Sequence, residues 1–118
     1  MTFEVATLLH NPKCSKSRAA KALLDEKGFS YHERRYLDDP LTADELVELA
    51  KLLGRPAREW VRSGEASFGE AHLDLEAGDA PILAAMARHP ILIERPILIL
   101  PKRAIVGRPP ERVLELMT

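Results

Sequence analysis

Apolar and polar positions in the first third of the chain predict a strand, a helix and a second strand. Residues 3–9 are β-prone and end at the turn-forming His10-Asn11-Pro12. The next stretch has apolar residues on one helical face until Gly28, namely Ala20, Leu23 and Leu24. Residues 31–37 form the second predicted strand. This order is typical of a βαβ unit, whose two strands are parallel.

The middle of the chain has mainly helical periodicity. Thr42 and Glu45 have the spacing of a capping box and begin one helix. A short helix is expected over 57–61, and Asp79 marks the start of another. The stretch 63–78 between them is polar, contains glycine and carries no predicted element.

The C-terminal part returns to strand-like patterns. Residues 96–100 and 104–106 predict an antiparallel hairpin, and Pro110 suits the first turn of a last helix. The whole pattern predicts an α/β fold with one mixed sheet flanked by helices. We expect a single domain over 1–118, with its core in 1–40 and 90–118 and a helical insertion over 41–89.

Composition limits the classes of function. A chain of 118 residues with 17 Lys+Arg, 18 Asp+Glu and net charge −1 lacks the broad cationic surface of a nucleic-acid-binding module. No apolar run is long enough to span a bilayer, and no secretory signal leads the chain. The single cysteine excludes an internal disulfide and a four-thiolate zinc site. We therefore expect no membrane association and a reducing, cytoplasmic setting.

Cys14 is the residue most suited to chemistry. It lies between the first strand and the first helix, where unpaired backbone N–H groups favour negative charge. Lys13, Lys16 and Arg18 add positive charge, and His10 is close enough across the turn to pair with a thiolate. Such surroundings favour a nucleophilic thiolate over the buried, inert role of most lone cysteines.

The residues around Cys14 do not have the spacing of other known cysteine-based sites. A phosphatase loop needs Cys-x5-Arg, whereas Cys14 and Arg18 form only Cys-x3-Arg. A dithiol motif would need a second cysteine where Ser17 stands, so a mixed disulfide would need an outside thiol to resolve it. His10 and Cys14 could be two metal ligands, but three or four are usual. The other histidines, His32, His72 and His89, lack ligand-like spacing, so no metal site is predicted.

Three arginines occupy positions from which they can reach an anion beside the thiol. Arg95 precedes Pro96 at a strand entry, Arg108 follows the last strand, and Arg62 ends a short helix. Binding sites of α/β sheets lie beyond strand ends, and the guanidinium fork fits a tetrahedral oxyanion.

The combined motifs resemble the glutathione- and glutaredoxin-dependent arsenate reductase family, which has a thioredoxin-like fold. The similar segments cover residues 10–18, Tyr36-Leu37, 89–97 and 107–109, and so extend over nearly the whole chain. Cys-Ser-Lys-Ser-Arg replaces the Cys-Gly-Thr-Ser-Arg frequent in established reductases, and Gly-Arg-Pro-Pro-Glu at 107–111 is similar to a shorter, arsenate reductase-like branch.

The resemblance implies a role for each candidate residue. Cys14 would be the nucleophile, and the substrate arsenate would be held by Arg62, Arg95 and Arg108. The supporting residues would be His10, which lowers the thiol pKa, Ser17, Arg18 and the cis-proline Pro96. Glutathione would be a co-substrate, glutaredoxin a partner, and no cofactor would be resident.

Two other functions remain open from the sequence. One is a monothiol oxidoreductase that acts on another oxyanion or on a glutathione mixed disulfide. The other is a non-enzymatic regulator that binds RNA polymerase on the same fold, although such relatives use a cysteine pair that this chain lacks.

Overall fold

Four short strands form one mixed sheet in the computed structural model, which describes residues 3–76 and 78–117. In chain order the strands are β1 (Thr7–Leu9), β2 (His32–Arg34), β3 (Ile97–Ile99) and β4 (Ala104–Val106). Their spatial order is β2-β1-β3-β4. β1 pairs with β2 in parallel and with β3 antiparallel, and β3 and β4 form an antiparallel hairpin. The predicted βαβ unit and hairpin are both confirmed.

The first two strands are shorter than their β-prone segments. Val5 is 63% exposed and lies outside the paired part of β1. β2 ends before Tyr36 because the N–H groups of Asp38 and Asp39 both donate to the carbonyl oxygen of Arg35, which turns the chain.

The helices follow the predicted order with three differences, one of which is an unpredicted 3₁₀ helix at Pro90–Leu92. They are α1 (Ser15–Glu26), α2 (Ala43–Leu53), α3 (Ala66–Glu70) and α4 (Asp79–Arg88), with 3₁₀ helices at Ala57–Glu59, Pro90–Leu92 and Pro110–Met117. The Thr42–Glu45 capping box is present. α3 lies within residues 63–78, for which no element was predicted. It contains no fully buried residue, so the sequence there lacks the apolar pattern of a packed helix. The last helix is 3₁₀ throughout.

Helices cover both faces of the sheet because neighbouring strand residues point to opposite sides. Leu8 and Leu98 pack with α1 and the last helix. Leu9, Ile97 and Ile99 pack into the larger cluster on the other face, which includes residues of α2 and α4. No described helix combines the length and the apolar character needed to cross a bilayer.

One edge of the sheet collects the residues around Cys14. Leu9 pairs with Arg34 and with Ile97, and Ile97 also pairs with Val106. The ends of β1, β2 and β4 and the start of β3 therefore lie side by side. The segments that leave or enter there carry His10, Tyr36, Arg95 and Arg108.

Candidate functional site

Cys14 is the N-cap residue of α1, with extended backbone dihedral angles (φ −96°, ψ 123°). Its N–H donates to the carbonyl oxygen of Asn11 at 3.0 Å, and its carbonyl oxygen accepts the N–H of Arg18 at 3.0 Å. The Arg18 side chain donates to the Pro12 carbonyl oxygen at 2.9 Å. These bonds hold the half-buried thiol at the helix start.

A buried polar trio fixes the loop that precedes the helix. Ser17 Oγ lies 2.7 Å from His10 Nδ1 and accepts the Asn11 N–H at 3.0 Å. The neutral imidazole ring of His10 can share this hydrogen bond in either tautomer, because the Ser17 hydroxyl can donate or accept. Burial lowers the pKa of His10 and favours this neutral form. The structure thus pairs His10 with Ser17, and the expected pair with the Cys14 thiolate is not seen among the described residues.

The Cys14 thiol has a lowered pKa because several donors outweigh its burial. Burial alone raises the pKa of the thiol, whereas the backbone N–H groups of Ser17 and Lys16 and the Arg95 guanidinium lower it. Amides of a first helical turn and an adjacent cation both stabilise the thiolate. Cys14 therefore has the electrostatic surroundings of a nucleophile.

Arg95 has donors that no described residue uses. Its Nε and Nη1 atoms are buried without a hydrogen-bond partner in the part of the chain the structure describes. Buried polar atoms of folded proteins are nearly always paired, so unpaired donors beside a nucleophile suit an acceptor-rich ligand. The Arg95–Pro96 peptide bond is cis, as the resemblance implies, and so is Arg108–Pro109, which the sequence did not predict.

Glu94 links the other two predicted arginines. Its Oε1 lies 2.9 Å from Arg108 Nε and 3.9 Å from Arg62 Nε, and Arg62 Nη1 also lies 3.2 Å from Glu65. Arg108 Nε also donates to the Arg95 carbonyl oxygen at 2.9 Å. Arg62 and Arg108 therefore lie on either side of one carboxylate next to Arg95.

Backbone pairing brings Arg62 to this cluster. The Arg62 N–H donates to the Leu92 carbonyl oxygen at 2.7 Å, and the Glu94 N–H donates to the Trp60 carbonyl oxygen at 3.0 Å. An isolated antiparallel bridge joins Val61 to Ile93 between them. The approach of Arg62 thus depends on a pairing between distant segments.

Gly107 permits close contact between the arginine-bearing segments. Its N–H donates to the Pro96 carbonyl oxygen at 2.8 Å. A Cβ atom at this position would lie 2.9 Å from both Pro96 Cγ and Val113 Cγ1. Any side chain here would push apart the segments that carry Arg95 and Arg108.

Two residues near the thiol were given no role from the sequence, Glu94 and Tyr36. In the sequence Glu94 is followed by Arg95, and such charged pairs are common on protein surfaces. Only the contact of Glu94 with Arg108 shows that it belongs to the site. Tyr36 follows β2 at the site's edge of the sheet and is fully buried. In the described ranges 3–76 and 78–117, no cluster of three or more His, Cys, Asp or Glu side chains suits a metal ion.

Comparisons with known proteins agree with this geometry. The chain matches the ArsC family over residues 9–116. It is 41% identical over 119 residues to the uncharacterized protein YfgD of Escherichia coli, covering 99% of each chain. It is 40% identical over 112 residues to the arsenate reductase of Haemophilus influenzae, covering 93% of this chain and 97% of that one.

A solved structure extends the similarity to the fold. The arsenate reductase from Vibrio cholerae superposes with a TM-score of 0.87 at 41% identity, covering 96% of this chain and 98% of the other. The predicted thioredoxin-like class is thereby confirmed. The match to the family covers residues 9–116, from the end of β1 to the last helix. The chain therefore belongs to the ArsC family.

Proposed function

We propose that this protein is an oxidoreductase that reduces arsenate to arsenite, with Cys14 as nucleophile and glutathione and glutaredoxin as electron donors. The observation that carries the proposal is the Cys14 thiol itself. Its pKa is lowered at the start of α1, beside an Arg95 guanidinium with unpaired buried donors. Family membership and the arsenate reductase names of relatives at 40 and 41% identity support the choice of substrate.

The proposed reaction begins with attack of the Cys14 thiolate on arsenic. One arsenic-bound oxygen leaves as water, and a sulfur–arsenic(V) bond forms. The glutathione thiol then replaces a second oxygen, again lost as water, so that arsenic bridges Cys14 and glutathione. A single protein cysteine is sufficient for both steps, in agreement with the sequence.

Reduction follows when a glutaredoxin thiolate attacks the glutathione sulfur. The glutathione sulfur–arsenic bond breaks, and its electron pair stays on arsenic, which becomes arsenic(III). Glutathione and glutaredoxin are oxidised together to a mixed disulfide. Water then displaces the Cys14 sulfur from arsenic and releases arsenite, so the sum is arsenate plus two thiols giving arsenite, one disulfide and one water.

The arginines supply charge stabilisation in this scheme. Arg95 faces the thiol with free donors and takes the oxyanion directly. Glu94 holds Arg62 and Arg108 next to Arg95, where they neutralise charge that develops on the arsenic-bound oxygens. His10, held neutral against Ser17, supports the loop rather than bonding to the thiolate.

The exposed cations around the thiol suit glutathione, which carries a net negative charge at neutral pH. Lys13, Lys16 and Arg18 are exposed and surround the half-buried Cys14.

The proposal is tested by NADPH oxidation in a mixture of arsenate, glutathione, glutaredoxin and glutathione reductase. We expect turnover that requires every component and is lost in Cys14→Ser. Turnover in Cys14→Ser would exclude Cys14 as nucleophile, and turnover without glutaredoxin would exclude that partner. Reduction of a glutathione mixed disulfide but not of arsenate would favour the monothiol oxidoreductase instead.

A further inference from the structure

Tyr36 carries a buried hydroxyl group with no partner. The residue is 0% exposed, and its hydroxyl oxygen has no hydrogen-bond partner among residues 3–76 and 78–117. A buried hydroxyl without a hydrogen bond lowers the stability of a fold, and such groups are therefore rare in folded proteins. A ligand that completes the bond would explain the Tyr36 hydroxyl.

The ring is fixed under the functional site by apolar packing. Tyr36 belongs to the same cluster as Leu9, Val61, Ile93 and Ile97. Each of these cluster members is next to, or one residue away from, a residue of the site, so the cluster that contains the Tyr36 ring extends to the segments that carry the site. Such packing leaves the hydroxyl little freedom to find another partner.

The charges that act on the hydroxyl are those of the site. Burial raises the pKa of Tyr36 well above its ordinary value, and the nearby charged groups are, in order of influence, Arg95, Cys14, Glu94 and Arg108. The hydroxyl therefore stays protonated at neutral pH and remains a donor. Among the described residues, the Nε and Nη1 atoms of Arg95, the charged group with the largest influence on Tyr36, are likewise buried without a partner.

We infer that the Tyr36 hydroxyl donates a hydrogen bond to an oxygen of the oxyanion held between Cys14 and Arg95. The inference rests on the proposed function, since that oxyanion is taken to be arsenate. A neutral donor contributes direction without adding charge, and so orients the arsenic atom toward the thiolate. Tyr36 is thus assigned as a substrate-positioning residue.

The test compares Tyr36→Phe with Tyr31→Phe. Both variants lose one hydroxyl, but that of Tyr31 bonds to Asp25 and Lys21 away from the site. The readouts are protection of Cys14 by arsenate against alkylation with iodoacetamide, and kcat/KM for arsenate. We expect Tyr36→Phe to weaken protection and to lower kcat/KM by about 10- to 100-fold, the effect of losing one hydrogen bond to a charged group, with little effect of Tyr31→Phe.

Two further readouts separate substrate positioning from a structural role. Alkylation of Cys14 without arsenate, followed against pH, should be the same in Tyr36→Phe and wild type. An upward shift of its midpoint would mean that the hydroxyl bonds to the thiolate, which overturns the inference. The urea midpoint of unfolding should not fall, because no internal hydrogen bond is lost, and a marked fall would also overturn it.

The remaining outcomes distinguish this inference from the proposed function. Unchanged protection and kcat/KM in Tyr36→Phe would overturn the inference and leave the reductase proposal intact. Arsenate protection without turnover, still weakened in Tyr36→Phe, would support the inference and contradict the reductase proposal. A wild-type protein that arsenate does not protect would contradict both.

Discussion

Removal of the Ser17 hydroxyl should strongly destabilise the fold. Ser17 is 0% exposed, and its Oγ serves both the ring of His10 and the backbone N–H of Asn11, which are themselves 3% and 8% exposed. In Ser17→Ala both groups lose their partner where water has little access. A buried polar group left unpaired costs about 1–3 kcal/mol, so two such groups cost about 2–6 kcal/mol.

Helix propensity offsets part of this loss. Alanine is favoured over serine inside a helix by about 0.5 kcal/mol, which leaves a net decrease of about 1.5–5.5 kcal/mol in the free energy of unfolding. For a chain of this length that corresponds to a fall in Tm of roughly 6–22 °C. Urea unfolding followed by circular dichroism measures the free energy, and calorimetry measures Tm.

Ser15→Ala is the matched control for this prediction. Ser15 is exposed at the start of the same helix, so its replacement should change stability by less than about 0.5 kcal/mol. A loss below about 1 kcal/mol in Ser17→Ala, or equal losses in the two variants, would refute the view that the buried trio stabilises the loop.

Three other predictions follow from the site. Arg95→Met should raise the pKa of Cys14, which is measured as an upward shift in the pH midpoint of alkylation. Arg95→Lys should raise it less, because a positive charge remains. An unchanged midpoint in Arg95→Met would show that Arg95 does not act on the thiol. Gly107→Ala should lower the free energy of unfolding by about 1–3 kcal/mol because of its two close contacts, whereas Gly64→Ala, where a Cβ meets nothing within 4 Å, should change it little; similar values would contradict the packing. Since burial lowers the pKa of His10 below 6.5, the unfolded chain binds the proton better, and stability should be lost as the pH falls through 6.5. The unfolding free energy should then decrease more on acidification in wild type than in His10→Gln, and parallel decreases would refute this.

Local patterns in the sequence predicted most of the elements. Strand-like segments, the Thr42 cap and the hairpin depend on neighbouring residues, so their presence is readable from the chain. The exact ends of the strands cannot be predicted in this way, because β2 ends where the Arg35 carbonyl oxygen accepts two turn hydrogen bonds. α3 was missed because it is only five residues long and has no fully buried residue; Phe68 alone of its residues packs, partly buried, against the core.

The site was only partly predictable for the same reason. The position of Cys14 between strand and helix is a local property, and its charged surroundings follow from nearby residues. The approach of Arg62 to Glu94 depends on the pairing of Val61 with Ile93, which no local pattern encodes. The buried hydroxyl of Tyr36 likewise gains its meaning only from segments distant in the chain.

The central claim of the proposal is that Cys14 binds arsenic covalently while glutathione and glutaredoxin reduce it from arsenate to arsenite. Its most direct test is to quantify arsenite by chromatography while NADPH oxidation is followed, in wild type and in Cys14→Ser. The account predicts one arsenite for each NADPH oxidised by wild type and none from Cys14→Ser. NADPH oxidation without arsenite, or equal arsenite from both proteins, would contradict it.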